Sequence, residues 1–207
     1  MSDAREQHWQ GVYSSKAEDA VSWFEESPAV SLALLDAAGL ETSHAVVDIG
    51  GGASRLVDAL QARQQAWVTV LDLSAAALET ARRRIAPDAP VDWVVSDVTR
   101  WKPLRRYDVW HDRAAFHFLT KVDEQAAYVD VLGQALRPGG VAVIGTFAPD
   151  GPEKCSGLPV ARHDSASLSR ILGADFALIA TRRHDHLTPW ASVQRFQFSS
   201  FRRLAGR

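Results

Sequence analysis

Residues 46–54 read Val-Val-Asp-Ile-Gly-Gly-Gly-Ala-Ser, and residues 68–74 read Val-Thr-Val-Leu-Asp-Leu-Ser. Each stretch is a short apolar run that ends in an acid, and the two acids, Asp48 and Asp72, lie 72 − 48 = 24 residues apart. Glycines after a strand let a ligand approach the backbone closely, because no Cβ stands in the way. An acid at the end of the next strand can accept the hydroxyls of a ribose. The two stretches therefore predict the nucleoside-binding half of an open parallel sheet.

The residues around the glycines indicate which kind of nucleoside binds. A dinucleotide-binding fingerprint needs a third small residue three positions after its second glycine, where the next helix packs near the pyrophosphate. Counted from Gly50 and Gly52, that position is Arg55. The charge of Asp48, two residues before the first glycine, would also face a pyrophosphate unfavourably. We therefore expect a ligand that has no phosphate and carries an amine or a sulfonium, and not a nicotinamide dinucleotide.

Four motifs resemble, in order, those of the class I S-adenosylmethionine-dependent methyltransferases, over roughly residues 40–147. Residues 47–52 are similar to the first motif of that family, Asp72 to its ribose-binding acid, and residues 96–98, Ser-Asp-Val, to its adenine-contacting turn. Residues 136–140, Leu-Arg-Pro-Gly-Gly, resemble the segment that follows its active site. The resemblance implies that S-adenosyl-L-methionine is the cofactor and that it is bound by Asp48, Gly50, Gly51, Gly52, Asp72, Leu73, Asp97 and Val98.

The order of apolar runs predicts the fold class. Five runs typical of buried strands, at 45–49, 67–72, 91–95, 107–111 and 140–147, alternate with helical stretches at 54–63, 74–85 and 123–136. Such alternation is typical of an α/β fold with a parallel sheet and right-handed crossovers. A helix at 165–172 and strands at 176–181 and 192–201 follow. The resemblance implies a Rossmann-like, seven-stranded, mostly parallel sheet with helices on both faces and an antiparallel C-terminal hairpin.

We expect a single methyltransferase domain, 1–207, in three parts. Residues 1–40 predict an N-terminal helical lid or cap, residues 41–147 the cofactor-binding core, and residues 148–207 a substrate loop and the C-terminal hairpin. Both end parts flank the predicted mouth of the site and supply its expected lid and substrate residues, namely Trp9, Tyr13, Trp23 and Cys155.

These lid and substrate residues have alternative interpretations. The aromatic side chains could cover the cofactor and exclude water, or pack a helix on the sheet edge, and one helix can do both. Cys155 would be reactive only with a lowered pKa, and a small half-buried thiol is the alternative.

Candidates for the chemistry stand at the end of the fourth strand, in residues 110–119, where the resemblance implies substrate-facing side chains. His111 or His117 could act as a general base near neutral pH. Asp112 could orient the acceptor or bind a cationic one, and Arg113 could grip an anionic group. We expect Asp112 and His117 to face the mouth, whereas strand alternation could turn His111 away. The alternatives are an internal ion pair between Asp112 and Arg113 and a hydrogen-bonded His117 in the core.

Composition narrows the function classes. A formal net charge of −2 argues against a nucleic-acid partner, which needs a clustered basic face. One cysteine excludes an internal disulfide and a cysteine-based zinc site, and His163, His184 and His186 lack regular ligand spacing, so no metal is expected. No apolar run reaches membrane-spanning length and no apolar signal core follows Met1, so we expect no membrane partner and a cytoplasmic location.

These features favour a methyltransferase that transfers a methyl group to a small-molecule acceptor by in-line displacement. Its extra segments are short, enough for a pocket but not for a large recognition domain. A protein lysine methyltransferase is an alternative, because the aromatic pattern over residues 9–24 is similar to leaders of some of those enzymes. An open acidic groove would favour that substrate, and a closed aromatic pocket the small molecule. A catalytically silent S-adenosylmethionine-binding module is the third hypothesis.

Overall fold

The computed structural model describes residues 2–206, with side chains from residue 4 onwards; Met1 and Arg207 of the predicted 1–207 domain lie outside the described residues. The helices in this part of the chain are α1 (Ser2–Ser15), α2 (Ala29–Ala37), α3 (Leu56–Ala62), α4 (Ala75–Arg82), α5 (Val122–Ala135) and α6 (Ser165–Leu172). The strands are β1 (Ala45–Ile49), β2 (Trp67–Asp72), β3 (Val91–Val95), β4 (Tyr107–Arg113), β5 (Leu136–Phe147), β6 (Lys154–Cys155), β7 (Leu158–Pro159), β8 (Phe176–Leu187) and β9 (Val193–Arg203).

Seven strands form one sheet in the order β3-β2-β1-β4-β5-β9-β8. Strands β1 to β5 pair in parallel, whereas β9 pairs antiparallel with both β5 and β8. The sheet confirms the predicted Rossmann-like architecture with its antiparallel C-terminal hairpin. The strand order reverses between β1 and β4, and ligands bind open α/β sheets outside the carboxyl ends of the strands at such a reversal.

Both faces of the sheet are covered by helices, which explains why the central strands β1 and β4 are buried along most of their length. On one face, α5 and α6 bury Tyr128, Leu132 and Leu168 against Trp110 of β4. On the other face, α2 packs against β4 while α3 and α4 pack against β2, and these helices contribute Leu35, Leu56, Leu60 and Leu78. The predicted position of helices on both faces is confirmed.

The bounds of the elements differ from the prediction mainly at β5, β8 and β9. Strand β5 begins at Leu136 instead of residue 140, because a bulge lets Tyr107 pair with Leu136 and Val109 with Val141. Strands β8 and β9 run to Leu187 and Arg203, beyond their predicted ends. A long two-stranded hairpin therefore stands at the sheet edge, with residues 188–192 as its turn.

Helix α1 is fastened beside the carboxyl ends of the strands. The side-chain oxygen Oε1 of Gln10 accepts hydrogen bonds from Ser74 Oγ at 3.0 Å and from Ala76 N at 3.2 Å. Ser74 is the N-cap of α4, and its hydroxyl accepts a hydrogen bond from Ala77 N at 3.1 Å. The start of α4 therefore holds α1 over the crevice. No helix within residues 2–206 is both long and apolar enough to cross a membrane.

Candidate active site

The main cavity of the described chain lies at the carboxyl ends of β1, β2 and β4. This is the place in an open α/β sheet where ligands bind. Two groups of predicted residues meet in it. The cofactor group contributes Gly50, Asp72, Leu73, Asp97 and Val98, and the lid and substrate group contributes Trp9, Tyr13, Trp23, Arg113 and Cys155.

The remaining predicted cofactor residues lie beside this cavity. Asp48 and Gly51 line a side cavity that shares Gly50 and Arg113 with the main one. Gly52 lines neither cavity, but a Cβ built on it would stand 2.8 Å from Asp72 Oδ2. The structure thus brings all eight predicted cofactor residues to one end of the crevice.

The glycine turn leaves no room for side chains. Gly50 has φ +64°, and a Cβ there would stand 2.7 Å from the Cβ of Ala115. A Cβ on Gly51 would stand 2.6 Å from Asp48 Oδ2 and 2.7 Å from Val70 Cγ1. Glycine is therefore required here both by backbone conformation and by close approach.

Asp72 presents a carboxylate that is 8% exposed at the end of β2. Its Oδ1 accepts a hydrogen bond from Ser74 N at 2.8 Å. Burial, together with the nearby charge of Asp48, raises the pKa of Asp72 to about 7, against the favourable backbone hydrogen bonds. A carboxylate that is costly to ionise in the free protein gains from any ligand that donates hydrogen bonds to it.

The turn after β3 is built around Asp97. The Oδ1 atom of Asp97 accepts hydrogen bonds from Thr99 N at 2.9 Å and from Thr99 Oγ1 at 2.7 Å. Its other oxygen, Oδ2, lies 4.0 Å from Arg5 Nη2 of helix α1, and Arg5 also bonds Glu124 Oε1 at 3.0 Å. Helix α1 therefore closes over the turn that carries Asp97 and Val98.

Aromatic rings from α1 and from the segment before α2 form one wall of the main cavity. The Trp9 ring makes edge contacts with Trp23 and Phe118, with centroids 5.5 Å and 5.0 Å away. Trp23 Nε1 donates a hydrogen bond to the Tyr13 hydroxyl at 3.0 Å. Burial, with the charge of Asp72, raises the pKa of Tyr13 well above its ordinary value, so the phenol stays protonated. The wall is a closed aromatic cluster that joins α1 to the segment before α2.

Arg113 links the end of β4 to that segment. Its Nη1 donates to the backbone oxygen of Trp23 at 3.0 Å, and its Nη2 lies 2.9 Å from Glu25 Oε1. Its guanidinium carbon lies 5.0 Å from the centroid of the Phe196 ring. The alternative of an internal ion pair with Asp112 is therefore wrong, because the partner of Arg113 is Glu25.

Asp112 and His117 do not face the cavity, which corrects the expectation for both side chains. Asp112 accepts hydrogen bonds from Ala115 N at 3.0 Å and from Tyr128 Oη at 2.8 Å, and burial raises its pKa to about 6. His117 is fully buried, and its Nδ1 accepts from Phe147 N at 3.4 Å. Burial lowers the pKa of His117 to about 3. The predicted general-base role lacks the required contact with the cavity, and the alternative of a hydrogen-bonded core histidine matches the geometry.

His111 is turned away from the main cavity, as strand alternation suggested. Its Nδ1 lies 2.7 Å from Asp48 Oδ1, and its Nε2 lies 2.9 Å from the hydroxyl oxygen of Ser31 on α2. Asp48 and His111 are neighbours in the register of β1 and β4. The second carboxylate oxygen of Asp48, Oδ2, is buried and has no hydrogen-bond partner.

Cys155 lies in strand β6 and is buried against the main cavity. Burial raises the pKa of its thiol to about 12, against the opposing charge of Arg113. The thiol therefore stays protonated at neutral pH and lacks the thiolate that a nucleophile or a metal ligand needs. This matches the small half-buried thiol of the alternative interpretation.

Three potential metal ligands meet outside the main cavity. Ligand atoms of Glu25, His184 and His186 lie within 4.8 Å of one another. The Glu25 carboxylate already pairs with Arg113, and His186 Nε2 lies 2.8 Å from the backbone oxygen of Ser22. These contacts tie the segment before α2 to β8. The absence of a metal site stays a prediction, and a metal titration directed at this cluster would test it.

Sequence reasoning missed several side chains of the site. Arg5 lies on the same face of α1 as Trp9 and Tyr13, at spacings of four residues, so the helical periodicity was the available signal. Phe118 and Ala115 line the cavity from the turn after β4, within the predicted substrate-facing stretch 110–119, but nothing in that stretch distinguished them from their neighbours. Glu25 and Ser31 act through contacts across the fold that no local pattern predicts.

Comparison with known proteins agrees with this geometry. Residues 46–140 match the family model described as a methyltransferase domain. The chain is 24% identical over 110 residues to malonyl-[acyl-carrier protein] O-methyltransferase 1 of Ilyobacter polytropus, a match that covers 53% of this chain and 40% of that protein. The chain thus spans less than half the length of this curated relative.

Solved structures share the whole fold. The N-methyltransferase NodS of Bradyrhizobium japonicum, in complex with S-adenosyl-L-homocysteine, is 15% identical with a TM-score of 0.71, over 94% of this chain and 97% of that one. The 1,6-didemethyltoxoflavin-N1-methyltransferase of Burkholderia thailandensis is 21% identical with a TM-score of 0.69, over 99% and 87% of the two chains. The similarity thus extends to a methyltransferase domain over residues 46–140 and to the fold over nearly the whole chain.

Proposed function

We propose that this protein is a methyltransferase that binds S-adenosyl-L-methionine and methylates a small-molecule acceptor. The observation that carries the proposal is the composition of the main cavity. This cavity combines Asp97, Asp72 and Gly50 of the glycine turn with an aromatic wall and Arg113. Such a lining suits a nucleoside cofactor beside a small second substrate.

The residues of the crevice fit the cofactor in three respects. The glycine turn is a cradle that any Cβ would fill, as required where a ligand lies on the backbone. Asp72 offers a buried carboxylate for the two ribose hydroxyls. The unpartnered Oδ2 of Asp48 is a buried acceptor suited to an ammonium group. In this proposal Asp97 and Val98 border the adenine, and Leu73 packs beside the ribose.

Bound S-adenosylmethionine supplies a methyl group already activated by its sulfonium. The protein therefore needs only to align the acceptor with that group and to exclude water. Trp9, Tyr13 and Trp23 exclude water in this proposal, since their rings close the wall of the cavity. Arg113 orients the acceptor, and the buried Asp112 acts indirectly by holding the turn that carries Ala115.

The cavity offers no side chain suited to general-base catalysis of the acceptor. Within the described residues its ionisable lining consists of Arg5, Tyr13, Asp72, Asp97, Arg113 and Cys155. Tyr13 and Cys155 are held protonated, and Asp72 and Asp97 stand at the cofactor end. We therefore propose an acceptor that is nucleophilic in its own right near neutral pH, such as an unprotonated amine or an anion paired with Arg113.

The geometry favours the small molecule over a protein lysine. Two acids, Asp72 and Asp97, and two cations, Arg5 and Arg113, line the main cavity, and its wall is aromatic, so it is not an acidic groove. The bound 1,6-didemethyltoxoflavin named for one structural relative is an acceptor of the proposed size class. In the same proposal no nucleic acid is a substrate and the enzyme acts in the cytoplasm.

Transfer of a labelled methyl group tests the proposal. The protein is incubated with methyl-labelled S-adenosylmethionine and panels of small amines, thiols, phenols and carboxylates, and separately with lysine-containing peptides. We expect label in a small-molecule product, and none with Asp72→Ala. Labelled peptides alone would support the lysine methyltransferase. Tight binding of S-adenosylhomocysteine without turnover of any acceptor would support the silent binding module.

A further inference from the structure

A buried chain of hydrogen bonds connects Ser31, through His111, to Asp48. Ser31 Oγ lies 2.9 Å from His111 Nε2, and His111 Nδ1 lies 2.7 Å from Asp48 Oδ1. The three residues are 1%, 2% and 3% exposed, respectively. Polar groups buried this deeply destabilise the folded protein unless each is hydrogen-bonded, so this arrangement calls for a functional explanation.

The protons of this chain can be assigned from its hydrogen bonds. An ionised carboxylate only accepts, so the bond to Asp48 Oδ1 requires a proton on His111 Nδ1. The Ser31 hydroxyl can then donate to Nε2, which makes both bonds with a neutral imidazole. The carboxylate thus fixes the tautomer, and the serine holds the ring at its other nitrogen.

The order of these three groups resembles that of a serine nucleophile with its base, but the surroundings of Ser31 do not suit a nucleophile. Ser31 lies in α2 among apolar side chains and lines neither the main cavity nor the side cavity. No carbonyl substrate can reach its hydroxyl there, and nucleophilic catalysis needs that contact. The open end of the chain is instead Asp48, which lines the side cavity next to Gly50 and Gly51.

The carboxylate of Asp48 is used on one side only. Oδ1 accepts from His111, whereas Oδ2 is buried without a partner beside the glycine turn. A buried carboxylate oxygen with no donor favours a ligand that brings one, and an ammonium group brings both donors and opposite charge. With Oδ1 held, the plane of the carboxylate is fixed before a ligand arrives, which lowers the entropy lost on binding.

We infer that His111 and Ser31 are positioning residues that hold Asp48 ready for the ammonium group at the amino-acid end of the cofactor. This inference rests on the proposed function, since it assumes that the cofactor occupies the glycine turn. In this inference His111 and Ser31 make the protein selective for the amino-acid end of the ligand. They stabilise binding of the amino-acid end and leave the nucleoside end unaffected.

Two ligands that differ in that end provide the test. S-adenosylhomocysteine carries the amino-acid group, whereas 5′-methylthioadenosine keeps the nucleoside and the sulfur without it. Both are titrated calorimetrically into the protein and into His111→Leu, His111→Asn and Ser31→Ala. His163→Leu is the matched control, because His163 is also a buried histidine but lines neither cavity.

We expect His111→Leu to bind S-adenosylhomocysteine about tenfold or more weakly, as for a lost hydrogen bond to a charged group. Methylthioadenosine should bind it within about twofold of the unchanged protein, which also reports that the site is folded. His111→Asn, whose amide can still donate to Asp48, should recover most of the affinity. Ser31→Ala should lose a smaller factor with the same selectivity, and His163→Leu should change neither ligand.

Equal losses for both ligands in His111→Leu, or unchanged binding of S-adenosylhomocysteine, would overturn the inference. If His111→Leu does not fold, His111→Asn and Ser31→Ala decide by the same comparison: a loss confined to S-adenosylhomocysteine in Ser31→Ala supports it, and no such selectivity overturns it. Absence of binding of both ligands to the unchanged protein would reject the proposed function, and the inference with it.

Discussion

Asp72 is the residue at which binding and stability conflict most directly. Its pKa is raised to about 7 by burial, from an ordinary value of 3.8. Between these two values the unfolded chain has released the proton that the native protein still holds. Stability contributed by this residue therefore falls as pH rises from about 4 to 7, and the deficit persists above pH 7. A side chain that destabilises the free protein is retained where a ligand needs it.

The variant Asp72→Asn should separate these effects. Asparagine removes the buried charge, so we expect the free energy of unfolding to rise at pH 8 by about 1–3 kcal/mol. Near pH 4, where the carboxyl is protonated in the native state, the gain should disappear. Affinity for S-adenosylhomocysteine should fall at both pH values. Urea unfolding at the two pH values measures the first effect, and an equal gain at both would contradict the assigned cause.

The contribution of His117 to the free energy of unfolding has the opposite pH dependence. Burial lowers its pKa to about 3, from an ordinary value of 6.5, so the native protein resists protonation that the unfolded chain accepts. Its contribution is complete above pH 6.5 and is lost as pH falls towards 3. At pH 5 we expect a loss of about 2 kcal/mol relative to pH 7, and a smaller loss in His117→Asn. Denaturant unfolding tests this, with the partly exposed His44→Asn as control.

Residue types in the site were predictable from the sequence, but their orientations were only partly so. Asp48 and Asp72 follow from strand ends and glycines, because backbone geometry dictates those positions, whereas Asp97 follows from the family resemblance of residues 96–98. Strand alternation alone puts Asp112 and Arg113 on opposite faces of β4. Which face meets the cavity depends on Tyr128 of α5 and on Glu25, which lie far away in sequence.

The glycine turn after β1 is the element on which the site depends. Gly51→Ala would bring a Cβ within 2.6 Å of Asp48 Oδ2, so we expect a destabilisation of about 1–3 kcal/mol and weaker cofactor binding. Gly133→Ala in α5 is the matched control, because no atom lies within 4 Å of the added Cβ. That variant should be more stable by about 0.5–1 kcal/mol. Thermal unfolding compares them, and an unchanged Gly51→Ala would refute the close packing.

In the proposed function helix α1 acts as a lid, and the ring of its Trp9 contacts Trp23 and Phe118. We expect Trp9→Ala to speed dissociation of S-adenosylhomocysteine by about tenfold and to change its association rate much less. Stopped-flow displacement measures both rates. Trp190→Ala, in the turn between β8 and β9 and 60% exposed, should change neither. An equal effect of the two variants would remove the lid role.

Elements with strong local patterns were predicted almost to the residue. Strands β1, β2 and β3 and helix α6 have the expected bounds, because apolar runs and capping residues mark their ends. The start of β5 was placed too late, since a bulge that pairs Leu136 with Tyr107 is set by the neighbouring strand. The lengths of β8 and β9 depend on their mutual pairing, and polar residues hide the pattern of exposed strands.

In the proposed function, the sheet with its glycine turn binds the cofactor, and two segments added to the sheet surround the acceptor. The N-terminal segment contributes Trp9, Tyr13 and Trp23, and the loop after β5 contributes Cys155. Arg113 connects the sheet to the N-terminal segment, because it is the last residue of the central strand β4 and contacts Trp23 and Glu25 of that segment. The division predicted at residues 40 and 147 stays a proposal that these contacts support.

Calorimetric titration of the intact protein with S-adenosylhomocysteine and, separately, with NAD⁺ tests the central claim most directly. We expect one S-adenosylhomocysteine to bind per chain and NAD⁺ not to bind, because Asp48 precedes the glycine turn and Arg55 follows it. Asp72→Ala should weaken S-adenosylhomocysteine by about 2–3 kcal/mol, the scale of a lost hydrogen bond to a charged group. Binding of NAD⁺ without binding of S-adenosylhomocysteine would contradict the account.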